Sequence, residues 1–347
     1  MPTPAYAALS ADTTLTPFQV SRREPGPHDV DIDIHFCGVC HSDLHTARNE
    51  WGGTTYPVVP GHEIIGRVIR TGPSVTRHRP GDLVGVGCFT DTCRNCPNCL
   101  AGEESYCEGG ISWTYNSTER GRPERTYGGY STRIVADEHY VLRIPGNLSP
   151  DRAAPLLCAG ITTWSPLRHA KVGPGMRVAI LGLGGLGHMG VKFAAALGAE
   201  VTVVSHSPQK EADARNLGAH HFLLSSDEAA MKAHKNRFDY ILNTVSAAHD
   251  YNRYLQLLRL HGNMTLVGIP PEAIPVRANL LVGQRRSLSG SLIGGIRETQ
   301  EMLDYCGANG IACDVETIPV DHINQAYERM LRSDVRYRFV IDLASLK

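Results

Sequence analysis

The sequence lacks a long apolar run, an excess of charge of either sign and a basic leader. Its longest apolar stretches, such as VAILGLGGLG, are interrupted by glycine, and none approaches the roughly 20 residues of a membrane-spanning helix. Lys and Arg total 34 and Asp and Glu 35, so the net charge of −1 gives no electrostatic argument for nucleic acid or an anionic membrane. The first residues, MPTPAYAALS, show no basic segment followed by an apolar one. We therefore expect a cytoplasmic protein with neither nucleic acid nor membrane as a partner.

The ten cysteines are not expected to form disulfides in a reducing compartment, where clustered thiols bind metal more often. Four of them share one polar loop, in the pattern Cys93-x-x-Cys96-x-x-Cys99-x7-Cys107. This loop could not bury four thiols as core residues, and four thiolates predict a tetrahedral zinc site that is structural because no ligand position is left for substrate. The alternative is an iron–sulfur cluster, but the fourth cysteine of bacterial ferredoxins follows after three residues and precedes proline, unlike Cys107.

A second cysteine pattern, Cys37-Gly-Val-Cys40-His41, has the C-x-x-C-H form of a haem attachment site and is also compatible with a redox dithiol or half of a zinc site. A cytoplasmic address counts against haem attachment. Cys40, His62 and Cys158 each lie beside a predicted turn or strand end, where a cleft could open. The spacing of these three residues does not by itself show that they form one site. A cysteine such as Cys158 is more often buried alone, without a metal. The PGHE sequence around His62 is not the H-E-x-x-H motif of zincin proteases.

The length of 347 residues predicts two domains, since single cores stop growing near roughly 250–300 residues. The first 150 residues contain short strand patterns, such as Val30–Ile34, separated by turns, and predict an irregular β-rich domain. After Pro155, strands alternate with helices, which predicts a doubly wound parallel sheet. The predicted strands are Met176–Leu181, Val201–Val204, Phe238–Leu242 and Met264–Val267. The first predicted helix ends at Ala196, the second covers Pro208–Leu217 and the third lies around Tyr251–Leu260. The tail predicts helices at Glu298–Asn309 and His322–Leu331 and strands near Val315 and at Tyr337–Leu343.

A glycine-rich turn follows the first of these strands and precedes a helix. The residues Gly182, Gly184, Gly185, Leu186 and Gly187 complete a G-x-G-x-x-G pattern. In that context the pattern predicts a dinucleotide site, because the glycines permit a tight turn and let a pyrophosphate reach backbone N–H groups at a helix N-terminus. A simple tight turn is the alternative interpretation.

The end of the next strand favours NADP(H) over NAD(H). NAD-binding proteins usually carry an acid there for the ribose 2′-hydroxyl. This chain has Ser205, His206, Ser207 and Lys210 instead, and hydroxyl and ammonium groups could donate to a 2′-phosphate that a carboxylate would repel. Ser207 before Pro208 could also serve only as the N-cap of the next helix.

Taken together, these motifs resemble those of zinc-dependent medium-chain alcohol dehydrogenases, and most closely the NADP-dependent cinnamyl alcohol dehydrogenase branch. The resemblance covers essentially the whole chain, through CGVCHSDLH, YPVVPGHEIIG, the four-cysteine loop, CAGITTWSPL, GLGGLGHMG, VVSHSPQK and GSLIGGIRETQEML. It implies a GroES-like catalytic domain formed by residues 1–154 and 295–347, a Rossmann domain of residues 155–294, and a homodimer. It also implies two zinc ions per chain and NADP(H) as cofactor.

The resemblance assigns roles by position. Cys40, His62 and Cys158 match the catalytic zinc ligands, with Glu63 beside the metal and Asp43 holding the ligand histidine. Ser42 matches the first hydroxyl of a proton relay and His45 its outer imidazole. The matches to residues around the cofactor are His41, Thr162, Ser291, Leu292 and Ile293. Trp51 and Trp113 match the substrate channel. The alternatives are that Ser42 and Asp43 only cap a helix, that His45 is an exposed helix residue and that the tryptophans belong to the core.

The implied activity is hydride transfer between NADP(H) and a primary alcohol or aldehyde, of aromatic or medium-to-long apolar character. Zinc would polarise the carbonyl group. Two alternatives use the same scaffold: a reductase of an iminium or enal in specialised metabolism, and a cofactor-binding protein without turnover. A zinc-free quinone reductase of the same superfamily would lack the ligand residues Cys40, His62 and Cys158.

Overall fold

The computed structural model describes residues 2–270 and 272–347. The chain divides into two compact units, one formed by the residues up to Ile161 with Gly294–Lys347 and the other by Thr162–Ile293. This division differs from the boundaries expected after residue 154 and before residue 295. Cys158 consequently belongs to the first unit, with Cys40 and His62. Among the residues described, no helix is both long and apolar enough to cross a membrane.

The N-terminal part of the first unit is rich in strands. Its strands are β1 (Pro2–Ala7), β2 (Thr16–Ser21), β3 (Asp29–Gly38), β4 (Ile64–Thr71), β5 (Leu83–Val86), β6 (Phe89–Asp91), β7 (Ser112–Trp113), β8 (Arg133–Asp137) and β9 (Leu142–Arg143). Its helices are α1 (His41–Ala47), α2 (Pro97–Ala101) and α3 (Pro150–Ala153), with 3-10 helices at Glu104–Tyr106, Glu138–Tyr140 and Ala154–Leu157. In β3, Val30, Ile32 and Ile34 are fully buried, as the period-two alternation predicts. Asp31, between them in the sequence, is fully buried as well, because Arg70 and Arg133 pair with its carboxylate.

The second unit is a doubly wound parallel sheet, which confirms the prediction. Its strands are β10 (Arg177–Leu181), β11 (Glu200–Ser205), β12 (His221–Leu224), β13 (Phe238–Asn243), β14 (Leu258–Leu266) and β15 (Ser287–Gly290). Its helices are α4 (Ala159–His169, beginning in the first unit), α5 (Gly187–Ala196), α6 (Glu211–Asn216), α7 (Glu228–Ala233), α8 (Tyr251–Leu255) and α9 (Ala278–Val282), with a 3-10 turn at Pro208–Lys210. All neighbouring strands are parallel, in the order β12-β11-β10-β13-β14-β15. Ligands bind such sheets at the carboxyl ends of the strands where the order reverses, here beside β10.

The chain then returns to the first unit. This part contains α10 (Ile296–Asn309), β16 (Val315–Pro319), α11 (Ile323–Leu331) and β17 (Arg338–Asp342), with 3-10 helices at Val320–His322 and Leu343–Leu346. Its two strands extend the large sheet of the unit, whose order is β16-β17-β3-β4-β5-β9 with β8 also paired to β3. A strand from the end of the chain therefore lies beside β3, which leads directly to Cys40.

One predicted element was wrong in part. The helix expected around Tyr251–Leu260 ends at Leu255, and Leu258 already begins β14. Leu258 pairs with Phe238 in the parallel sheet. Strand pairing with distant residues overrides the local helical pattern here, because propensity is a weak prior beside tertiary contacts.

Candidate active site

Strand pairing brings together residues that are distant in the sequence. In the antiparallel pair of β3 and β4, Cys37 lies opposite Ile64. The residues after β3 and those before β4 are therefore neighbours, which places Cys40 beside His62. Cys158, at the end of the 3-10 helix Ala154–Leu157, completes the group. The ligand atoms of Cys40, His62, Glu63 and Cys158 all lie within 4.8 Å of one another, and the four residues are buried.

The distances in this group fit a tetrahedral metal ion. The sulfurs of Cys40 and Cys158 are 4.0 Å apart, and His62 Nε2 lies 3.2 Å from Cys158 Sγ. Two Zn–S bonds of about 2.3 Å at a tetrahedral angle would separate the sulfurs by roughly 3.8 Å. Two thiols and an imidazole are ligands that zinc prefers, and three protein ligands leave one position for substrate.

The Asp43 carboxylate connects two members of this group, Cys40 and His62. It accepts hydrogen bonds from the backbone N–H of Cys40 at 2.9 Å and of Gly61 at 3.1 Å. It also accepts from His62 Nδ1 at 3.0 Å and from the Tyr130 hydroxyl at 3.0 Å. Asp43 thus caps α1, as one alternative held, and also holds the imidazole. Because Nδ1 carries the proton in this arrangement, Nε2 presents its lone pair to the position between the sulfurs.

Glu63 forms a buried ion pair with Arg338 of β17. The pairing of β17 with β3 brings the arginine here, since Val39 N donates to Phe339 O at 2.9 Å. Among the described residues, Glu63 Oε2 has no hydrogen-bond partner, although it is buried. A buried carboxylate oxygen without a donor favours a cation nearby, which again fits a metal ion.

The proton affinities of the ligand groups are strongly perturbed. The hydrogen bond between the two thiols lowers the pKa of Cys40 and raises that of Cys158. Burial acts to lower the pKa of His62, but the Asp43 carboxylate raises it well above its usual value. Burial raises the pKa of Glu63 to about 7, against the opposing effect of Arg338. Zinc binds the deprotonated forms of cysteine and histidine, so a metal ion here would displace protons from these groups.

Ser42 and His45 are three residues apart on α1 and therefore lie on the same side of the helix. Ser42 Oγ is 3.6 Å from Cys40 Sγ. His45 Nδ1 bonds to a carboxylate oxygen of Glu50, and its ring centroid lies 5.0 Å from that of Trp51. His45 is thus partly buried, with 26% of its side chain exposed, and is oriented by Glu50. With Nδ1 bonded to Glu50, Nε2 remains as the acceptor.

The four-cysteine lobe (residues 93–107) also brings its thiols close together. Cys93, Cys96, Cys99 and Cys107 lie within 4.8 Å of one another, and the sulfurs of Cys93 and Cys99 are 3.9 Å apart. Backbone N–H groups donate to the sulfurs, from Cys96 to Cys93 and from Cys93 to Cys107, both at 3.3 Å. Such donors stabilise thiolate charge, and the N–H of Asn95 lowers the pKa of Cys93 to about 6. The set fits a closed tetrahedral zinc site.

The glycine-rich turn in the second unit has the features that a dinucleotide requires. Gly182 adopts a φ of 89°, which favours glycine. A Cβ atom at Gly187 would lie 2.1 Å from Gly182 O, so only glycine lets α5 begin this close to β10. A Cβ at Gly184 would meet nothing within 4 Å. The Gly184 side of the turn is therefore open to a ligand, at a helix N-terminus whose first N–H groups lack helical partners.

The tip of β11 lies next to this turn, since Gly182 N donates to Val204 O at 2.9 Å. Lys210 Nζ donates to Leu183 O at 2.8 Å and so reaches across to the glycine-rich turn. Ser207 occupies the N-cap position of the 3-10 turn, but its side chain makes no capping bond. Instead its N–H donates to Ser205 Oγ at 3.2 Å. Ser205, Ser207 and the Lys210 ammonium group therefore lie together at the tip of β11, beside the glycine-rich turn.

Other predicted residues are distributed between the units. His41 is exposed at the start of α1, while Thr162, Ser291, Leu292 and Ile293 belong to the second unit. Trp51 is 55% exposed and Trp113 36% exposed, so neither is a core residue. The core interpretation of the two tryptophans is therefore wrong. Cys37 is fully buried in β3 and does not join the metal-binding groups.

Comparison with known proteins identifies the family. The model of the alcohol dehydrogenase GroES-like domain matches residues 26–146, and that of the zinc-binding dehydrogenases matches residues 185–307. The chain is 56% identical to NADP-dependent alcohol dehydrogenase C of Mycobacterium tuberculosis, over 99% of each protein. The chain belongs to the zinc-binding alcohol dehydrogenases. The predicted family and GroES-like and Rossmann folds are thereby confirmed, and so is the general activity, the interconversion of alcohols and aldehydes.

Further alcohol dehydrogenases and reductases resemble the chain over its whole length. Aldehyde reductase YahK of Escherichia coli is 53% identical over 99% of this chain and 98% of that protein. The structure of a cinnamyl alcohol dehydrogenase from Sorghum bicolor is 44% identical, with a TM-score of 0.97, covering 100% of this chain and 99% of that one. The structure of a CAD from Helicobacter pylori, complexed with NADP(H), is 39% identical with a TM-score of 0.94 and covers 100% of both chains.

The sequence analysis of this alcohol dehydrogenase missed several residues beside the candidate zinc ligands. Tyr115 stacks on His62 with ring centroids 5.7 Å apart, Tyr130 bonds to Asp43, and Glu50 bonds to His45. No local motif indicates these contacts. Arg338 did carry a signal, because a single charge in the otherwise apolar strand pattern YRFVI indicates a buried partner. The partner is Glu63, and only the pairing of strands in the sheet identifies it.

Proposed function

We propose that the protein is an NADP(H)-dependent aldehyde reductase and alcohol dehydrogenase acting on primary substrates of aromatic or medium-to-long apolar character. The observation that carries this proposal is the buried group of Cys40, His62 and Cys158, oriented by Asp43 and open to one further ligand. Relatives named NADP-dependent alcohol dehydrogenase and aldehyde reductase support the cofactor and the reaction. The NADP(H) complex of the Helicobacter pylori relative supports the cofactor further.

In this proposal each unit has its own metal or cofactor role. Cys40, His62 and Cys158 would hold the catalytic zinc, which would act as a Lewis acid on the carbonyl or hydroxyl oxygen. The four cysteines of the lobe would hold a structural zinc. The nicotinamide would supply or accept the hydride. The first unit would therefore provide the catalytic groups. The second unit, whose boundaries lie near residues 154 to 161 and 294, would provide the cofactor site.

Asp43 and Glu63 set the electrostatics around the reacting oxygen. Asp43 fixes the His62 tautomer through Nδ1 and makes the imidazole a stronger ligand. Glu63, paired with Arg338, adds a carboxylate beside the ligand atoms without taking a permanent ligand position in this proposal. The buried pair keeps the site highly polar inside an apolar domain, where electrostatic interactions are stronger than in water.

Ser42 and His45 would move the proton between the substrate oxygen and solvent. Ser42 Oγ lies close to the candidate ligand Cys40, within reach of a group bound beside it. His45 lies one turn further along α1 and is partly exposed, with Glu50 on Nδ1. Because Nδ1 bonds to Glu50, Nε2 of His45 is the atom that would pass the proton onward.

NADP(H) would bind along the carboxyl end of the parallel sheet. The turn formed by Gly182, Gly184, Gly185, Leu186 and Gly187 would receive the pyrophosphate. Ser205, His206, Ser207 and Lys210 would surround the 2′-phosphate, and the absence of an acid at this position of the sequence supports NADP(H) over NAD(H). His41, Thr162, Ser291, Leu292 and Ile293 would complete the cofactor contacts, on the strength of their positions in the family motifs.

Trp51 and Trp113 would line the approach of the substrate. Both indoles have exposed surface, and Trp51 lies beside the proposed relay residue His45. Large aromatic surfaces favour aromatic or long apolar aldehydes over short polar ones. Comparing the rates of a panel of aldehydes would identify the preferred substrate.

We further propose a cytoplasmic homodimer. β15 is an edge strand of the parallel sheet, and Val282 and Leu260 near this end of the unit are exposed. An edge strand with exposed apolar neighbours favours pairing with a second copy. None of the ten cysteines is in a disulfide, which supports a reducing compartment. Light scattering coupled to gel filtration tests the dimer, and a monomer at micromolar concentration would contradict it.

The deciding experiment follows nicotinamide absorbance with the purified, zinc-replete protein across a panel of aldehydes and alcohols, with NADPH and NADH compared. We expect reduction of aromatic and medium-chain aldehydes and a higher kcat/KM with NADPH. Iminium and enal substrates in the same panel test the alternative reductase activity. Turnover with none of these substrates, despite two zinc ions per chain, would leave only cofactor binding and contradict the proposal.

A further inference from the structure

The start of α10 is held by the four-cysteine lobe through a buried carboxylate. Glu104 is only 4% exposed, and its Oε2 accepts a hydrogen bond from the backbone N–H of Ile296 at 3.0 Å. Its Oε1 lies 3.3 Å from His139 Nε2, which keeps the carboxylate in place. Ile296 is the first residue of α10. Glu104 therefore caps this helix from a different part of the chain.

Two further contacts join the lobe to the same turn of α10. Arg297 Nη2 donates to Ala101 O at 2.7 Å. Gly295 packs so closely on the lobe that a Cβ atom there would lie 1.8 Å from Gly102 O. The lobe residues in these contacts all lie between Cys99 and Cys107, the third and fourth thiols of the proposed zinc site. The metal-binding loop and the start of α10 are thus one packed structure.

The backbone immediately before this helix is strained. Ile293 has a φ of 45°, a conformation that is rare for a β-branched residue and costs of order 1–3 kcal/mol. Such a conformation persists only when the surrounding structure imposes it. The two residues between Ile293 and Ile296 are glycines that are tightly packed, since a Cβ at Gly294 would lie 2.7 Å from Ile161 Cδ1.

We propose that Glu104 is a positioning residue for the cofactor. By fixing Ile296, and with it the two packed glycines, the lobe imposes the left-handed backbone at Ile293 and sets the conformation of Ser291–Ile293. This rests on the proposed function, in which Ser291–Ile293 face the nicotinamide. The lobe then acts on cofactor affinity as well as on stability, although none of its residues is proposed to touch the cofactor.

The test measures NADPH affinity by calorimetry and amide hydrogen exchange of residues 291–297 in the zinc-replete protein. We expect Glu104→Ala to weaken NADPH binding about tenfold, the effect of losing one hydrogen bond to a charged group, and to speed exchange in this segment. Glu104→Gln keeps an acceptor oxygen for Ile296 and should restore most of the affinity. Glu103→Ala, which removes an exposed acid of the same lobe, is the matched control and should behave like the wild type.

A second pair of variants separates positioning from general destabilisation. Arg297→Ala removes a contact without altering the metal-binding loop, and we expect it to weaken NADPH binding in the same direction. In an Ile293→Gly background, Glu104→Ala and Arg297→Ala should each cause a smaller loss of NADPH affinity, because glycine adopts a positive φ without strain. Unchanged NADPH affinity in both Glu104→Ala and Arg297→Ala, with zinc content retained, would overturn this proposal alone. A wild-type protein that does not bind NADPH would overturn the proposed function, and this proposal with it.

Discussion

Asp43 accepts a hydrogen bond from Nδ1 of His62 at 3.0 Å. This contact decides which imidazole nitrogen faces the two thiols, because the proton on Nδ1 leaves the lone pair on Nε2. Asp43 also accepts from the N–H of Cys40, the residue that supplies one of these thiols. One carboxylate thus positions two of the three proposed ligands of the catalytic zinc.

Asp43→Asn should weaken the catalytic zinc site. An amide is neutral and accepts through only one oxygen, so it cannot satisfy all four donors that Asp43 now serves. Loss of a partner of a ligand histidine typically lowers metal affinity by about 10- to 100-fold. Competition with a chromogenic chelator measures this affinity. Tyr130→Phe removes a single donor to Asp43 and should have a smaller effect in the same direction. A zinc affinity equal to that of the wild type in the Asn variant would contradict the role of Asp43.

Cys158→Ser should abolish turnover and lower the zinc content from two to about one per chain, since a serine hydroxyl is a poor zinc ligand. Elemental analysis and the aldehyde assay measure the two effects. Cys37→Ala is the matched control: this thiol belongs to the C-x-x-C pattern but is buried in β3, outside the ligand group. The control should retain two zinc ions. Aldehyde reduction at the wild-type rate by Cys158→Ser would remove this residue from the ligand set.

Cys96→Ser should destabilise the fold and leave the catalytic zinc in place. The lobe has a polar surface and lacks a core of its own, so its structure depends on metal binding. Differential scanning calorimetry should show a lower Tm, and elemental analysis about one zinc per chain. Asn95→Ala alters an exposed neighbour in the same loop and serves as the control. A Tm equal to that of the wild type would mean that the lobe is not a structural zinc site.

Lys210→Ala should reduce the preference for NADPH over NADH. Its ammonium lies beside Leu183 O, within the surface proposed for the 2′-phosphate. Loss of a charge-assisted hydrogen bond should raise the Kd for NADPH by about 10- to 100-fold and leave that for NADH nearly unchanged. Lys232→Ala on α7 removes an exposed lysine elsewhere in the same unit and is the charge-matched control. Equal losses for both cofactors would contradict phosphate recognition by Lys210.

Much of the site was predictable from local patterns. The four thiols of the lobe lie close together in the sequence, so their spacing alone indicated that they bind one metal ion. The glycine-rich turn follows a buried strand and precedes a helix, and the structure finds it at the end of β10 with Gly182 at positive φ. The residues of each motif lie in one continuous segment, so each motif could be recognised without knowing the rest of the fold.

The catalytic group is a different case, because its members come from three separate segments. From spacing alone, Cys40, His62 and Cys158 could not be joined, and only the resemblance to a family suggested it. The structure brings them together through the β3–β4 register and the 3-10 helix before Cys158. Arg338 reaches Glu63 only because β17 pairs with β3.

The sequence by itself determined the local chemistry of this protein: which residues can bind metal, where a dinucleotide can approach, and which element types follow one another. Tertiary structure alone decided that Asp43 serves both Cys40 and His62, that Glu63 is paired, and that the lobe caps α10 through Glu104. The physical reason is that hydrogen bonds across a sheet connect residues that are distant in the chain, and no periodicity within one segment encodes the partner of another.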